Sequence, residues 1–293
     1  MNSLPVAQFA PGPSVANAYR YCEKVTRRSG SSFSAAFWML PKPKRRALHA
    51  IYASCRLADD IADDPEIGGN RAALLKRWRD ELDSAYRHKA RHPVGIALGD
   101  AVHRFRLPEK VFVDLLAGVE SDLAGDSFDS FDDLRQYCYR VASTVGLQVV
   151  RVLGYRNPRS LDYAETMGIA VQLTNVIRDI GSDASSGRIY LPREELDQFG
   201  VSTDDLRNGR MTEELRLLLG FYAERARLYY ERAERLLPSE DRRTLRPAKA
   251  MGRIYRTLLE ELHRKGFPCF DAPLRLPKSR RLAIAALVWL GLE

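Results

Sequence analysis

The chain has 293 residues, 45% hydrophobic and 29% charged, as in an ordinary globular protein of one large domain or two small ones. Its four cysteines are far apart and form no C-x-x-C pair, which excludes a disulfide framework or zinc ribbon and favours a reducing, cytoplasmic compartment. The net charge of +8 suggests nucleic-acid binding, but no zinc-finger, helix-turn-helix or aromatic–basic motif accompanies the cations, so we predict no nucleic-acid partner.

Apolar residues recur with helical spacing through almost the whole chain, and no segment alternates with the period of a strand. Residues 1–13 lack the basic and apolar regions of a signal peptide, and we predict a flexible arm there, followed by a single domain of residues 14–293. The pattern predicts an all-α bundle around a central apolar cavity, with helices over residues 14–28, 43–64, 70–89, 94–105, 108–124, 130–153, 160–183, 213–237, 239–265 and 275–291.

The first acidic cluster, which comprises Asp59, Asp60, Asp63 and Asp64, stands at the end of the predicted helix 43–64. In a helix Asp59 and Asp63 share a face one turn apart, where like charges repel by ~0.2–0.5 kcal/mol per pair. The negative end of the helix dipole disfavours each carboxylate by a further ~0.3–1 kcal/mol. The preceding turns are apolar nearly all round, which indicates a buried helix.

The second acidic cluster, which comprises Asn175, Asp179 and Asp183, repeats this spacing over two turns at the end of the mostly apolar helix 160–183. One such cluster is typical of a solvated surface, but two clusters at the ends of buried helices indicate facing rims of one cavity. Hard oxygen ligands under mutual repulsion indicate Mg²⁺, with Mn²⁺ as the alternative. The irregular stretch 184–212 follows directly, and we expect it to cover the cavity.

The C-terminal segment 282–290 is apolar and follows three cations, Lys278, Arg280 and Arg281. It is too short to span a bilayer, which needs about 20 apolar residues. Two interpretations remain open at this point, a packed terminal helix and a peripheral contact with the inner face of a membrane.

Several motifs together resemble the squalene/phytoene synthase family. They are SGSSF at residues 29–33, IYASCRLADD at 51–60, YCYRVASTVG at 137–146, QLTNVIRDIG at 172–181 and RIYLP at 188–192. The match runs in order over roughly residues 19–267. The resemblance implies the all-α isoprenoid synthase fold and a trans-prenyltransferase that joins two prenyl diphosphates head to head, with Mg²⁺ neutralising the diphosphate that leaves.

By this resemblance, both acidic clusters ligate the metal. On one wall the ligands are Asp59, Asp60 and Asp63, with Asp64 as a weaker candidate, and on the other they are Asn175, Asp179 and Asp183. Some relatives carry Glu where this chain has Ser182, which removes one carboxylate.

The resemblance also implies catalytic roles for Tyr52, Arg56 and Tyr137. Tyrosine rings stabilise a carbocation and their hydroxyls relay a proton, whereas Arg56 grips a diphosphate or, alternatively, forms a salt bridge to the neighbouring aspartates. The candidates for substrate binding are Ser32, Phe33, Arg45, Arg178, Arg188, Tyr190 and Tyr255.

Residues 118–123 and 251–267 look most like bacterial presqualene diphosphate synthases of hopanoid pathways. Such enzymes condense two farnesyl diphosphates and leave the later steps to partner enzymes of isoprenoid biosynthesis, so NADPH is not expected as a cofactor. Phytoene, squalene and dehydrosqualene remain alternative products. Outside the family, an all-α Mg²⁺-dependent nucleotide pyrophosphohydrolase and a non-catalytic helical scaffold remain open.

Overall fold

The computed structural model describes residues 13–28, 39–63, 67, 69–271 and 273–292, and within these ranges the chain is helical and contains no strand. Ser32, Phe33, Asp64 and residues 1–12 of the predicted arm lie outside the described residues. The helices are α1 (Val15–Arg28), α2 (Lys42–Asp63), α3 (Arg71–Tyr86), α4 (Pro93–Phe105), α5 (Glu109–Ala124), α6 (Phe131–Cys138), α7 (Thr144–Leu153), α8 (Arg159–Ser185), α9 (Arg193–Phe199), α10 (Thr203–Arg207), α11 (Glu213–Leu236), α12 (Arg246–Arg264) and α13 (Lys278–Leu290).

Capping residues explain several helix ends. Asn70 caps α3 by accepting a hydrogen bond from the Ala73 amide at 3.1 Å, and Ser130 and Asp133 form a capping box at the start of α6. Gly125 ends α5 in the left-handed conformation, with a φ of 72°.

The prediction of one helix over residues 239–265 was wrong at its start. Ser239–Asp241 forms a 3-10 turn, and α12 begins only at Arg246. The reason is the fully buried Asp241, whose carboxylate accepts the backbone N–H of Arg156 at 2.8 Å and of Asn157 at 3.0 Å. Because this side chain holds the loop before α8, its own segment turns instead of continuing as a helix.

The segment 184–212 is less irregular than predicted, because it contains the short helices α9 and α10. Glu195 of α9 is buried and forms a salt bridge of 2.6 Å with Arg225 of α11, and the Tyr222 hydroxyl also donates to it. This buried ion pair anchors the segment against the bundle, since a buried carboxylate is tolerated only when it is paired.

The long helix α8 lies at the centre of the bundle and packs against α6, α7, α11 and α12. It contributes to both hydrophobic clusters of the core, Tyr163 and Ala164 to one and Leu173 and Ile177 to the other. No helix in the described part of the chain combines the length and apolarity that crossing a bilayer requires.

A π-helical turn, Tyr139–Ser143, joins α6 to α7 where α8 passes closest. Gly168 of α8 lies against it so tightly that a Cβ atom at this position would be 2.4 Å from the Ser143 Cα atom. The Ser143 hydroxyl donates to the Glu165 carbonyl at 2.6 Å, which fixes the contact. The π turn places Val141 and Ala142 on the wall of the central cavity, where such irregular turns are frequently found.

Candidate active site

A central cavity of about 480 Å³ lies between α2, the α6–α7 region, α8 and α12. Along α8 its lining runs from Asp183 at one end to Tyr163 at the other, five to six turns that span ~30 Å at ~1.5 Å per residue. The Asp183 end is charged. The walls of the opposite end are almost entirely apolar and comprise Val149, Val150, Tyr163, Ala164, Ala248 and Met251.

The described aspartates of the first acidic cluster lie on different faces of α2. Asp59 and Asp63 face the cavity, whereas Asp60 points away, is buried and forms a salt bridge of 2.5 Å with Arg56. Arg56 itself lines the cavity, so its guanidinium connects the buried carboxylate to the charged end. Asp63 forms a salt bridge of 2.6 Å with Arg188, which comes from the segment that follows α8.

The second acidic cluster faces the first across the charged end, and Asn175, Asp179 and Asp183 all line the cavity. Asp179 forms a salt bridge of 2.5 Å with its neighbour Arg178. The Asn175 amide donates to Gln172 at 3.1 Å, while its buried carbonyl oxygen has no hydrogen-bond partner among the described residues. A buried acceptor without a partner indicates a place for a ligand, because leaving it unpaired costs ~1–3 kcal/mol.

A fifth carboxylate, Asp122 of α5, completes the charged end, and it was not among the site residues expected from the sequence. Its two oxygens accept the hydroxyls of Tyr137 at 3.0 Å and Tyr190 at 2.7 Å. The rings of Tyr137 and Tyr190 stack with their centroids 5.0 Å apart. Asp122 has no acidic residue one turn away on its helix, so only its place within the 118–123 motif could have singled it out.

Burial and mutual repulsion shift the protonation of these carboxylates. Asp59 is open to the cavity but enclosed by protein, and its burial and the nearby Asp63 raise its pKa to about 7. Burial and the Asp179 carboxylate likewise raise the pKa of Asp183 to about 7. Burial also raises the pKa of Asp122, against the lowering effect of its tyrosine hydrogen bonds. Burial therefore disfavours the charged form of all three carboxylates in the protein without a ligand.

The family follows from comparison with known proteins. The sequence model described as squalene/phytoene synthase matches residues 26–282. The chain belongs to the squalene/phytoene synthase family. It is 34% identical to the 15-cis-phytoene synthase of Synechococcus elongatus, with 96% of each chain covered, and 34% identical to a phytoene synthase of Arthrospira platensis, with 94% of this chain and 93% of the relative covered.

Solved structures of squalene/phytoene synthases show the same architecture. A dehydrosqualene synthase superimposes with a TM-score of 0.84 at 30% identity, covering 95% of this chain and 97% of its own. The squalene synthase HpnC of Alicyclobacillus acidocaldarius superimposes with a TM-score of 0.78 at 28% identity, covering 86% and 95%. The predicted all-α isoprenoid synthase fold is thus confirmed, and the chain is an enzyme of prenyltransferase type.

The structure brings most of the family's expected site residues to this cavity. Its lining includes Tyr52, Arg56, Asp59, Asp63, Tyr137, Asn175, Arg178, Asp179, Asp183, Arg188, Tyr190 and Tyr255. Ser182 is exposed, and its hydroxyl donates to the Asp179 carbonyl at 2.8 Å. Position 182 does not line the cavity, so a serine there removes no carboxylate from the cavity wall.

Two expected residues do not line the cavity. Asp60 follows Asp59 directly, so a rotation of ~100° about the helix axis turns it towards the protein interior. Arg45 lies in the first turn of α2, about 21 Å along the helix from Asp59, and its guanidinium contacts the Leu40 carbonyl at 3.4 Å. Neither side chain contacts the cavity space, whereas Ser32 and Phe33 fall outside the described residues.

The ligand set at the charged end suits Mg²⁺. The candidates are carboxylates and one amide oxygen with an open acceptor, which are the hard donors that this ion prefers. No group of three or more His, Cys, Asp or Glu side chains in the described ranges is close enough to form a complete metal cage. Such sparse ligation fits Mg²⁺, since it keeps several waters and binds through one or two carboxylates together with substrate phosphates.

Proposed function

We propose that this enzyme condenses two farnesyl diphosphates head to head to presqualene diphosphate and releases inorganic diphosphate. The observation that carries the proposal is one cavity with two facing acidic clusters at one end and apolar walls at the other. A prenyl diphosphate has the same polarity, with a charged head and a hydrocarbon tail. A nucleotide pyrophosphohydrolase would also use clustered acids, but it would not need the apolar end.

Within this proposal Asp59 and Asp63 on α2, and Asn175, Asp179 and Asp183 on α8, hold Mg²⁺. When bound, the metal would neutralise the diphosphate and make it a better leaving group. Asp60 acts through Arg56, which it orients by the salt bridge of 2.5 Å. No nicotinamide cofactor is needed, because forming the cyclopropyl product involves no reduction.

Three arginines would bind the diphosphates. Arg56, Arg178 and Arg188 all line the charged end, and each is paired with a carboxylate there or beside it. A guanidinium fork binds phosphate oxygens in two places and so orients the group that leaves. Tyr255 and Tyr52 lie on walls next to this end, where their ring faces would stabilise an allylic cation.

The hydrogen bond from Tyr137 to Asp122 supplies a route for the proton that is lost when the cyclopropane closes. Burial and the neighbouring Tyr190 hold the pKa of Tyr137 well above its ordinary value, so the phenol stays neutral. A neutral hydroxyl accepts the substrate proton only as it passes its own proton to the Asp122 oxygen at 3.0 Å. The released diphosphate is the alternative base.

A second product is favoured by the relatives. Two phytoene synthases are 34% identical to this chain, and by analogy the substrate would be geranylgeranyl diphosphate. The solved relatives named dehydrosqualene synthase and squalene synthase favour the shorter farnesyl chain.

The purified enzyme is incubated with Mg²⁺ and either farnesyl or geranylgeranyl diphosphate, without NADPH, and the products are identified by mass spectrometry. Accumulation of presqualene diphosphate supports the proposal and leaves reduction to another enzyme. Phytoene from the longer substrate alone would move the chain to carotenoid synthesis. Dehydrosqualene or squalene would refute the proposed stopping point, and hydrolysis of nucleotides without prenyl coupling would refute the whole proposal.

A further inference from the structure

The C-terminal helix α13 is apolar on both sides but packs on only one. Its inner face, with Ala285 and Val288 buried, lies against α12 and the core. On the outer side Leu282, Leu287 and Leu290 remain 50%, 47% and 70% exposed, and Leu292 just beyond the helix is 64% exposed. An apolar helix is normally buried all round, so this outer face lacks a partner.

The charged side chains in and just before α13 are all cationic. Residues 273–292 contain Arg275, Lys278, Arg280 and Arg281 and no acidic residue. Arg280 forms a salt bridge of 2.7 Å with Glu261 of α12. Arg275 and Lys278 are exposed and form no ion pair with any residue in the described ranges, so their charges are available to an outside ligand.

We propose that the outer face of α13 docks on an anionic lipid surface. Leucines on one side and lysine or arginine at the helix start are the features by which a helix lies in the headgroup layer of a membrane. A second copy of the chain fits less well, because its α13 would bring three cations and no carboxylate towards those of the first. The thirteen residues of α13 are too few to cross a bilayer, which needs about 20.

The position of α13 in the fold would bring the cavity close to a membrane on docking. Arg280 contacts Glu261, and Trp289 accepts a hydrogen bond from Arg246 at 2.8 Å, so α13 runs antiparallel along the whole of α12. The opposite side of α12 lines the cavity with Ala248, Met251 and Tyr255. On a docked molecule, α13 and α12 would therefore lie between the bilayer and the apolar cavity.

Vesicle binding tests the proposal independently of activity. The 293-residue chain is sedimented with two kinds of vesicle, one of phosphatidylcholine alone and one that also contains about 30 mol% phosphatidylglycerol. Phosphatidylglycerol is anionic and gives the second vesicle a negative surface potential. We expect binding to the anionic vesicles only, and loss of binding as salt is raised to about 0.5 M.

Matched variants locate the contact. Leu287→Gln with Leu290→Gln should lower vesicle binding at least about tenfold. Leu217→Gln with Leu228→Gln removes two leucines of similar exposure, 59% and 62%, from α11 and should leave binding unchanged.

The cations are tested in the same way. Arg275→Gln with Lys278→Gln should also weaken binding, whereas Lys89→Gln with Arg91→Gln on the exposed α3–α4 connection should not. Circular dichroism shows that each variant is folded. Prenyl-coupling activity in detergent should be unchanged in every variant, because no residue of α13 lines the cavity.

Two results would overturn the proposal. One is vesicle binding that the α13 variants do not change. The other is a protein that ignores both kinds of vesicle but forms a dimer in sedimentation equilibrium that Leu287→Gln with Leu290→Gln dissolves. Loss of vesicle binding with normal product formation would leave the proposed function intact, so the two proposals fail separately.

Discussion

Asp59 and Asp60 are chain neighbours that lie on different faces of α2. Asp59 lines the cavity, and Asp60 is buried against Arg56. We expect Asp59→Asn to reduce turnover at least about a hundredfold, because it removes a preorganised charge where the leaving group is bound. The thermal midpoint should not fall, since the change also relieves repulsion from Asp63.

The matched variant is Asp60→Asn, which leaves Arg56 without its charged partner. It should cost roughly 1–2 kcal/mol of unfolding free energy in a denaturant titration. This is below the ~1.5–3 kcal/mol typical of a hydrogen bond to a charged group, because Arg56 is half exposed and water screens the pair. Turnover should fall less than in Asp59→Asn. If Asp60→Asn instead abolished activity at full stability, the division of this cluster into cavity-facing and buried halves would be wrong.

The raised pKa of Asp183 makes stability depend on pH in the metal-free protein. An ordinary aspartate titrates near 3.8, whereas burial and Asp179 raise the Asp183 pKa to about 7. Between these values the folded chain holds a proton that the unfolded chain has lost, so stability falls as pH rises from about 4 to 7 and is constant above.

Wild type and Asp183→Asn are compared in EDTA by thermal unfolding at pH 5 and pH 8. Relative to wild type, the variant should gain roughly 1–2 kcal/mol on going to pH 8, a value reduced because water in the cavity screens the charge. The comparison cancels the titration of other groups. An equal pH dependence in the two proteins would mean that Asp183 is ionised throughout.

Helix periodicity predicted which turns carry acids, but not which acids face inward. Residues at i and i+4 share a face, so Asp59 with Asp63 and Asp60 with Asp64 were equally good pairs by spacing. The choice between them depends on how α2 is rotated against its neighbours, which only packing decides. Asp122 could not be predicted as part of the site for the same reason, since its two tyrosine partners come from α6 and the segment after α8.

Among the elements, the contact of α8 with the π turn is the tightest that bears on the cavity. We expect Gly168→Ala to cost about 1–3 kcal/mol, because its Cβ atom would lie 2.4 Å from backbone that cannot yield easily. Gly220→Ala on α11 is the control. No atom lies within 4 Å of its Cβ position, so the helix should gain roughly 0.5–1 kcal/mol from higher propensity. Denaturant midpoints of the two variants should therefore move in opposite directions.

Sequence patterns located the long helices well and the short ones poorly. The ends of α1, α2, α5 and α8 lie within two residues of their predicted bounds. Local signals mark some of these ends, since Pro108 and Pro158 precede α5 and α8 and Gly125 ends α5. The helices α9 and α10 were missed, since each is too short to show a periodic face. The π turn gave no signal either: residues 139–143 read as part of a continuous helix, and its irregular geometry depends on the close approach of α8.

For the molecule as a whole, the order of the motifs was sufficient to predict the family and the fold. The spacing of the acidic residues was sufficient to predict that one end of the cavity is charged. The depth of the cavity was not predictable, because Val150 and Tyr163 of the consecutive helices α7 and α8 meet Met251 there, which comes from α12 much later in the chain. Prenyl length depends on that apolar end, which is why the product question needs the substrate comparison proposed above.

The pairing of arginines with carboxylates means that the empty enzyme carries its own counter-ions. Arg178 neutralises Asp179, and Arg188 joins Asp63 across to the segment after α8. Diphosphate would draw these arginines away and free the carboxylates, and a divalent cation that takes the carboxylates would free the arginines. The two ligands should therefore bind with positive cooperativity, each increasing the affinity for the other by the same factor. In calorimetric titrations of inorganic diphosphate with and without Mg²⁺, Arg188→Gln should show a smaller coupling than wild type, and an unchanged coupling would mean that this pair does not exchange partners.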